Sequence, residues 1–502
     1  MTHLTLAALD TADLDALVIG VAAGPNGAEP APGWDTADAA CNGRLRQLLD
    51  LLGATGAPEE ITLVPADPGS SVPLVVAAGL GRPNDAGRFD PEILRRVASA
   101  AVRALRGRGR VGLTLGLVNG SATEEDGQAV VEGALLGGYQ FDRYRRDVDR
   151  RPSIREVVLL VPEARIAMLT PAADRGRLLA EAVHLTRDLV NMPASELHPA
   201  SFADLALATS REAGLDGELL DNAALVEGGY GGILAVGAGS VHPPRMVCLS
   251  WRPPDPVATM ALVGKGVTFD SGGLTLKPRD GLENQKKDMV GAASVLATVT
   301  AAARLNVPLT ITAYLPMVEN MPGGSAYRPG DILRMRNGLH VEVHNTDAEG
   351  RLILADGLAR ACEDRPDYVL CVASLTGAQR VALGHRTCGA MGDEKLTGRL
   401  AAAGRHTGEP IWPMPLPEDI GSQLESSVAD LANWHPDTAG GMLLGGMFLS
   451  RFVTEGTSWA HLDIAGPSYH SGSPRGYLSS GATGTPVRAL VRLLEDLSAS
   501  SS

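Results

Sequence analysis

The sequence predicts an α/β protein of two domains, a smaller N-terminal one and a larger C-terminal one whose central mixed sheet is flanked by helices. Three observations carry this. Short apolar runs alternate with longer segments in which apolar residues recur every three or four positions, the periods of buried strands and amphipathic helices. The length, 502 residues, exceeds what one hydrophobic core ordinarily serves. Pro162 and Pro171 interrupt the alternation before it resumes further on.

Taken in order, LDALVIGVAAG, PLVVAAGLG, VGLTLGLV and REVVLLV read as buried strands, with helices PEILRRVASAAVRALRG and EEDGQAVVEGALLGGYQFDRY between them. They make an N-terminal α/β domain over 1–165 that carries no constellation of catalytic residue types. After a joint between Pro162 and Pro171, DRGRLLAEAVHLTRDLV reads as one helix stopped before Pro193, so 166–192 is a linker helix. From 193 to 502 the strands MVCLSW, ATMALVG, PLTITAYLPMV and YVLCVASL alternate with helices VGAASVLATVTAAARL and RLILADGLARACE, the pattern of a sheet sandwiched by helices.

Composition narrows the function classes. Hydrophobic residues at 44% and charged residues at 20% describe a globular chain rather than a disordered one. No apolar run approaches the roughly 18 residues that a membrane span needs. Cys41, Cys248, Cys362, Cys371 and Cys388 lie singly, and the N-terminus lacks the basic start of an export signal, so the cytoplasm is the expected setting. A net charge of −14 with no basic stripe disfavours nucleic acid as a partner.

Chemistry-bearing residues concentrate in two windows: GKGVTFDSGGLTLKP at 264–278, with KKDM at 286–289, and NTDAEGRL at 345–352. In the first, a strand runs into a glycine-rich turn, and α/β sheets place ligands outside the carboxyl ends of strands. Lys265, Asp270, Lys277 and Asp288 follow that strand. In the second, Asp347, Glu349 and Arg351 alternate, so extended backbone would turn all three to one side, beside the partial positive charge of a helix start. Crowded carboxylates stay ionised only if cations neutralise them. Oxygen ligands without thiolate or His suit Mg, Mn or Zn, and with no HExxH a dinuclear, carboxylate-bridged centre fits better than a single zinc. Singly, each residue reads as a solvated turn or a surface lysine; the combination carries the signal.

These segments resemble the M17 leucyl aminopeptidase family, the cytosolic leucine aminopeptidases. NTDAEGRL matches that family's signature without substitution, and the likeness extends through VGKGVTFDSGGL with Lys277-Pro278, ENMPGGSAYRPGD at 319–331, SLTGAQRVALG at 374–384, HLDIAG and GATG. It is strong over 185–490 and weaker before, where it implies a macro-like domain. The resemblance implies an aminopeptidase acting on peptide substrates, assembled as a homo-hexamer, with two divalent ions per subunit: Mn or Zn, with Mg or Co as further candidates. One ion would be held by Asp270, Asp347 and Glu349, the second by Lys265, Asp270, Asp288 and Glu349. A metal-activated hydroxide would attack the scissile carbonyl. Lys277 would stabilise the oxyanion, and Arg351 would anchor a bicarbonate acting as general base. Gln285, Ser374, Leu375 and Gly377 would line the pocket for the first side chain. Gln285 stands where the family has Met and Ser374 where Thr is common, which leaves a leucine preference open. His344 and His461 fall at no ligand position and read as structural. A dipeptidase acting on cysteinylglycine is the alternative within the family, and a DNA-binding regulator, disfavoured by the charge, the alternative outside enzymes.

Overall fold

The structure, a computed structural model, describes residues 2–9, 13–120, 122–146 and 151–500. The chain divides into two compact units, Met1–His184 with Ser471–Ser480, and Leu185–His470 with Gly481–Ser502. Nothing in the local pattern of residues 471–480 marks them as belonging with the first unit.

In the first unit seven strands make one sheet in the order His3–Ala7, Glu156–Leu160, Arg110–Leu113, Ala16–Gly24, Leu74–Gly81 and Ile61–Pro65, with Gly27–Pro30 folded back on Ala16–Gly24. The four central pairings are parallel, while Ile61–Pro65 and Gly27–Pro30 run antiparallel to their neighbours. Leu17, Ile19, Val75 and Ala77 pack with Leu45 and Leu49 in a buried cluster. The strand expected from VGLTLGLV stops at Leu113 and becomes a 3-10 turn over Leu115–Leu117. Thr114 explains the stop: its backbone N–H and its hydroxyl both donate to the carbonyl of Val18, at 2.9 and 3.2 Å.

The joint expected between Pro162 and Pro171 is instead part of one helix, Glu163–Asn191, with Pro171 inside it. A proline there removes one helical hydrogen bond and crowds the preceding turn. Burial of Leu169, Ala172 and Ala173 on that turn outweighs the loss.

The second unit is built on a nine-stranded mixed sheet, as the alternation of apolar runs and helices predicts. Its order is Ile411–Pro413, Cys388–Gly392, Ser458–Asp463, Tyr368–Ala373, Thr259–Gly264, Thr310–Asn320, Arg245–Trp251 and Asp216–Leu220, with Gly266–Asp270 paired to the far end of Thr310–Asn320. The four strands around Thr259–Gly264 are parallel, so their carboxyl ends open on the same edge. Helix Val290–Arg304 is buried along nearly its whole length. Helix Gly350–Glu363 contributes Leu352, Ile353, Ala355 and Leu358 to a core with Val263, Tyr314, Val369 and Phe448.

One charge is sealed within that core. Asp356, fully buried, accepts hydrogen bonds from the backbone N–H groups of Ile233 at 2.9 Å and Arg336 at 2.8 Å, which ties helix Gly350–Glu363 to helix Gly231–Gly237 and to the turn at 336. Burial pushes its carboxyl up to about 7 against the opposing pull of these amides. Removing the acceptor strands buried donors, each costing roughly 1–3 kcal/mol. Asp356→Ala is therefore expected to lower stability by about 3 kcal/mol in urea unfolding; an unchanged midpoint would show that the contacts are incidental.

Candidate active site

The site begins at the carboxyl end of Thr259–Gly264. Lys265, the next residue, is clamped by its own backbone: its N–H donates to the Val372 carbonyl at 3.1 Å and its carbonyl accepts from Ala292 N at 2.8 Å. The side chain therefore enters the interior, where it is 3% exposed. Strand Gly266–Asp270 pairs with the end of Thr310–Asn320, and the last rung sets Asp270 opposite Asn320.

After Asp270 the chain reverses through Gly272 and Gly273, both with positive φ (88° and 63°). A Cβ on Gly272 would lie 2.4 Å from the Thr275 carbonyl, so the turn demands glycine on both counts. Thr346 staples this loop, donating from its hydroxyl to the Gly272 carbonyl at 2.6 Å and accepting from Thr275 N at 2.8 Å. Lys277, held by a bond from its N–H to the Ser271 carbonyl at 2.9 Å, points its Nζ back to Asp270 Oδ2 at 2.7 Å and onto Asp347.

The second window departs from the extended backbone expected of it. Residues 346–347 form a turn, Glu349 has αR dihedrals as the cap residue, and Arg351 lies in the first turn of helix Gly350–Glu363. The reason is the core: a helical register buries Leu352, Ile353 and Ala355 together, which alternation would not. Asp347 and Glu349 nevertheless converge, each offering an oxygen in a group with Asp270 whose ligand atoms lie within 4.8 Å of one another. The helix start beside Glu349 places its partial positive charge at the acids. Gly350 leaves room for Lys265, since a Cβ there would sit 2.7 Å from Nζ.

Lys265 Nζ lies 2.6 Å from Asp288 Oδ2 and 2.8 Å from Glu349 Oε1. The cluster thus sets four carboxylates, Asp270, Asp288, Asp347 and Glu349, against two ammonium groups, which leaves two negative charges unbalanced. Burial raises the carboxyls of Asp270 and Asp288, and pushes that of Asp347 up to about 7, with neighbouring carboxylates adding to the effect at all three. Burial by itself would depress the two lysines, yet the facing carboxylates outweigh it and raise both. Asp288 Oδ2 and Asp347 Oδ1 are buried and are each met by one lysine ammonium. Hard oxygen donors converging within 4.8 Å and surplus negative charge fit a divalent cation.

Arg351 stands slightly apart, 6% exposed, with one guanidinium nitrogen donating to the Asn433 carbonyl at 2.8 Å and its Nε without a partner. Burial lowers its pKa to about 10 against the opposing pull of Glu349 and Asp463. Ser374 donates to Asp288 Oδ1 at 2.7 Å, and its carbonyl lies 3.3 Å from Lys265 Nζ. Leu375 is partly buried against the core, its N–H on Asp463 Oδ1 at 3.1 Å. Gly377 opens helix Gly377–Leu383 at the surface. Gln285, in the turn Gln285–Lys287, spends its amide N–H on the Gly281 carbonyl at 2.5 Å. His344 pairs with Glu342 at 3.1 Å, and His461 is buried and pushed down to about 3 by that burial, so it stays neutral.

Sequence reasoning missed the residues that hold the acids in place. Asn320 donates from its amide to Asp270 Oδ1 and to the Thr346 carbonyl, both at 2.9 Å, bridging the two windows. Tyr327 donates to the same carbonyl at 2.7 Å, and Asn433 accepts from His344 N and Asn345 N. The one available signal was a polar Asn closing an apolar strand at a sheet's carboxyl edge.

A mixed-sheet α/β unit with an acid–lysine centre at the carboxyl ends of its parallel strands belongs, on comparison with known proteins, to the peptidase class of hydrolases. The catalytic-domain profile of the cytosol aminopeptidase family matches residues 184–491, and the profile of its N-terminal domain matches 18–147. The chain is 48% identical to a probable cytosol aminopeptidase of Streptomyces griseus subsp. griseus, over 99% of this chain and 98% of that one. It is 44% identical to one from Corynebacterium diphtheriae, over 99% and 97%. Among solved structures it is similar to the bottromycin maturation enzyme BotP in complex with Mn, at a TM-score of 0.85 and 38% identity over 97% of this chain and all of that one. The chain belongs to the cytosol aminopeptidase family.

Asn320→Ala should leave Asp270 free to turn and weaken binding of Mn by about 10- to 100-fold in a calorimetric titration. Unaltered affinity would mean that Asp270 is positioned by its backbone alone.

Proposed function

We propose that this chain cleaves the first residue from peptides with a free N-terminus, using two divalent ions held in the acid cluster. The observation that carries the reading is the meeting of four buried or partly buried carboxylates and two lysines, with negative charge left over for further cations. Asp270, Asp347 and Glu349 would hold one ion and Lys265, Asp270, Asp288 and Glu349 the other. This donor set suits Mn or Zn, with Mg or Co as alternatives; the Mn carried by BotP supports the first. Such ions, when bound, supply a water ionised near neutral pH and a Lewis acid for the scissile carbonyl.

The remaining work falls to the chain's own groups. Lys265 serves as a ligand only as a neutral amine, and adjacent dications would reverse the carboxylate field that otherwise keeps it protonated. Lys277, more exposed than Lys265, remains an ammonium and donates to the oxyanion, a role worth about 3–4 kcal/mol. The buried, partly unpartnered guanidinium of Arg351 fits a small planar anion, and bicarbonate there would take the proton as general base. Ser374, Leu375, Gly377 and Gln285 border the space for the first side chain. Family resemblance supports a homo-hexamer, and the relatives' name, together with five cysteines that are all free, supports a cytoplasmic setting. No helix among the described residues is long and apolar enough to cross a membrane.

Stripping metal with a chelator is expected to abolish hydrolysis of an aminoacyl anilide, and Mn or Zn to restore it; full turnover by metal-free protein would refute the metal-dependent reading. Replacing Lys277 by Ala should lower kcat about 100-fold or more while metal content, read by elemental analysis, stays constant. A near-normal rate would remove Lys277 from the chemistry.

A further inference from the structure

Behind the acid cluster lies a second concave site that the reaction above does not use. Strands Gly266–Asp270 and Thr310–Asn320 set Phe269 opposite Glu319 and Asp270 opposite Asn320. Consecutive strand residues face opposite ways. Asp270 and Asn320 accordingly meet on the side of the acids, while Phe269 and Glu319 line a cavity of about 400 Å³ on the reverse. That volume falls within the range of small-molecule sites, roughly 300–1,000 Å³. Glu319 is only 8% exposed, and its Oε2 accepts from the Ser240 hydroxyl at 2.5 Å. Among the described residues no Lys, Arg or His reaches it at ion-pair distance, and its Oε1 accepts no hydrogen bond. Buried carboxylates are ordinarily paired; this one keeps an oxygen and its charge for the cavity.

The walls say what kind of cation fits. Ala194, Phe269, Met321 and Pro322 give the cavity apolar sides, and an aromatic ring among them suits an ammonium group. A further wall, His242, is held in place: its ring stacks on that of His198 at 4.2 Å and 3°, and its N–H donates to Ser240 Oγ at 2.9 Å. His198 is fixed in turn as the cap of helix Pro199–Glu212, its Nδ1 accepting from Ser201 N at 3.5 Å. Among the described residues Glu319 belongs to no set of three ligating side chains, the acid cluster being the one such set, so a lone carboxylate here suits an organic cation better than a metal ion. No Lys or Arg among them lines the cavity, so a carboxylate on the ligand would find no partner, and an amine fits where an amino acid does not.

We propose that this cavity is a binding site for a small organic ammonium with an apolar body, its charge received by Glu319 and its hydrocarbon part by Phe269, Met321 and Pro322. The site is separate from the acid cluster, so phenethylamine titrated calorimetrically should bind Mn-loaded and chelator-treated protein with the same affinity. Its neutral analogue 2-phenylethanol, alike in shape, should bind at least about tenfold more weakly, the loss of one charge-assisted contact. Glu319→Gln should weaken the amine by a similar factor and leave the alcohol unchanged. Ser195→Trp, a substitution at an exposed position on the rim, should block both by filling the mouth, and it decides the matter if Glu319→Gln does not fold. Absence of amine binding, equal affinity for amine and alcohol, dependence on Mn, or an affinity that the folded variants do not change would each overturn the site. None of these titrations reads hydrolysis, so the aminopeptidase reading stands or falls on its own tests.

Discussion

The structure of the second unit depends on one electrostatic constraint: four carboxylates and two lysines must share a largely buried space. At an effective dielectric of about 20, two like charges 4 Å apart repel by roughly 4 kcal/mol, a large fraction of a domain's net stability. The fold tolerates the arrangement because each acid is answered. Lys265 answers Asp288 and Glu349, and Lys277 answers Asp270 and Asp347. What remains is a deficit of positive charge, and that deficit makes the place receptive to metal ions instead of merely strained.

Much of the surrounding architecture serves to hold those groups against their own repulsion. The parallel strands deliver Lys265 and Asp270 at one edge of the sheet, and the left-handed turn at Gly272 and Gly273 brings Lys277 back over Asp270. Helix Gly350–Glu363 is fixed at its start by the acids and further along by Asp356, which accepts from two separate segments. Asn320 couples the two windows by donating to Asp270 and to the Thr346 carbonyl. This is the pre-organisation a hydrolytic site requires: the cost of gathering like charges is met in folding rather than during the reaction.

The same constraint separates two kinds of lysine at one site. Lys265 and Lys277 sit among carboxylates that hold them protonated, whereas Lys287 stands over the Tyr469 ring, 5.0 Å from its centre. Ser374 touches the cluster twice, donating to Asp288 and setting its carbonyl 3.3 Å from Lys265 Nζ, while Gln285 spends its amide on the Gly281 carbonyl.

The sequence by itself determined the fold class and which residue types would meet, because a strand that ends in a glycine-rich turn and an unbroken NTDAEGRL are local patterns. Local pattern also located most strands and helices, because burial writes itself as periodicity. It failed where long-range packing overrode the local signal. Asp347, Glu349 and Arg351 alternate as if extended, yet the core's demand for Leu352 and Ile353 wound the segment into a turn and a helix. Pro171 reads as a break and sits inside a helix, since burial on its turn outweighs the lost bond. Asn320, Ser374, Asn433 and Asp463 could not be read in advance, because an ordinary Asn, Ser or Asp becomes a support only when tertiary structure sets a carboxylate, a carbonyl or an amide of a distant segment against it. The residue types of the cluster were written in the chain; which groups hold them, and how far their charges are balanced, only the folded arrangement decided.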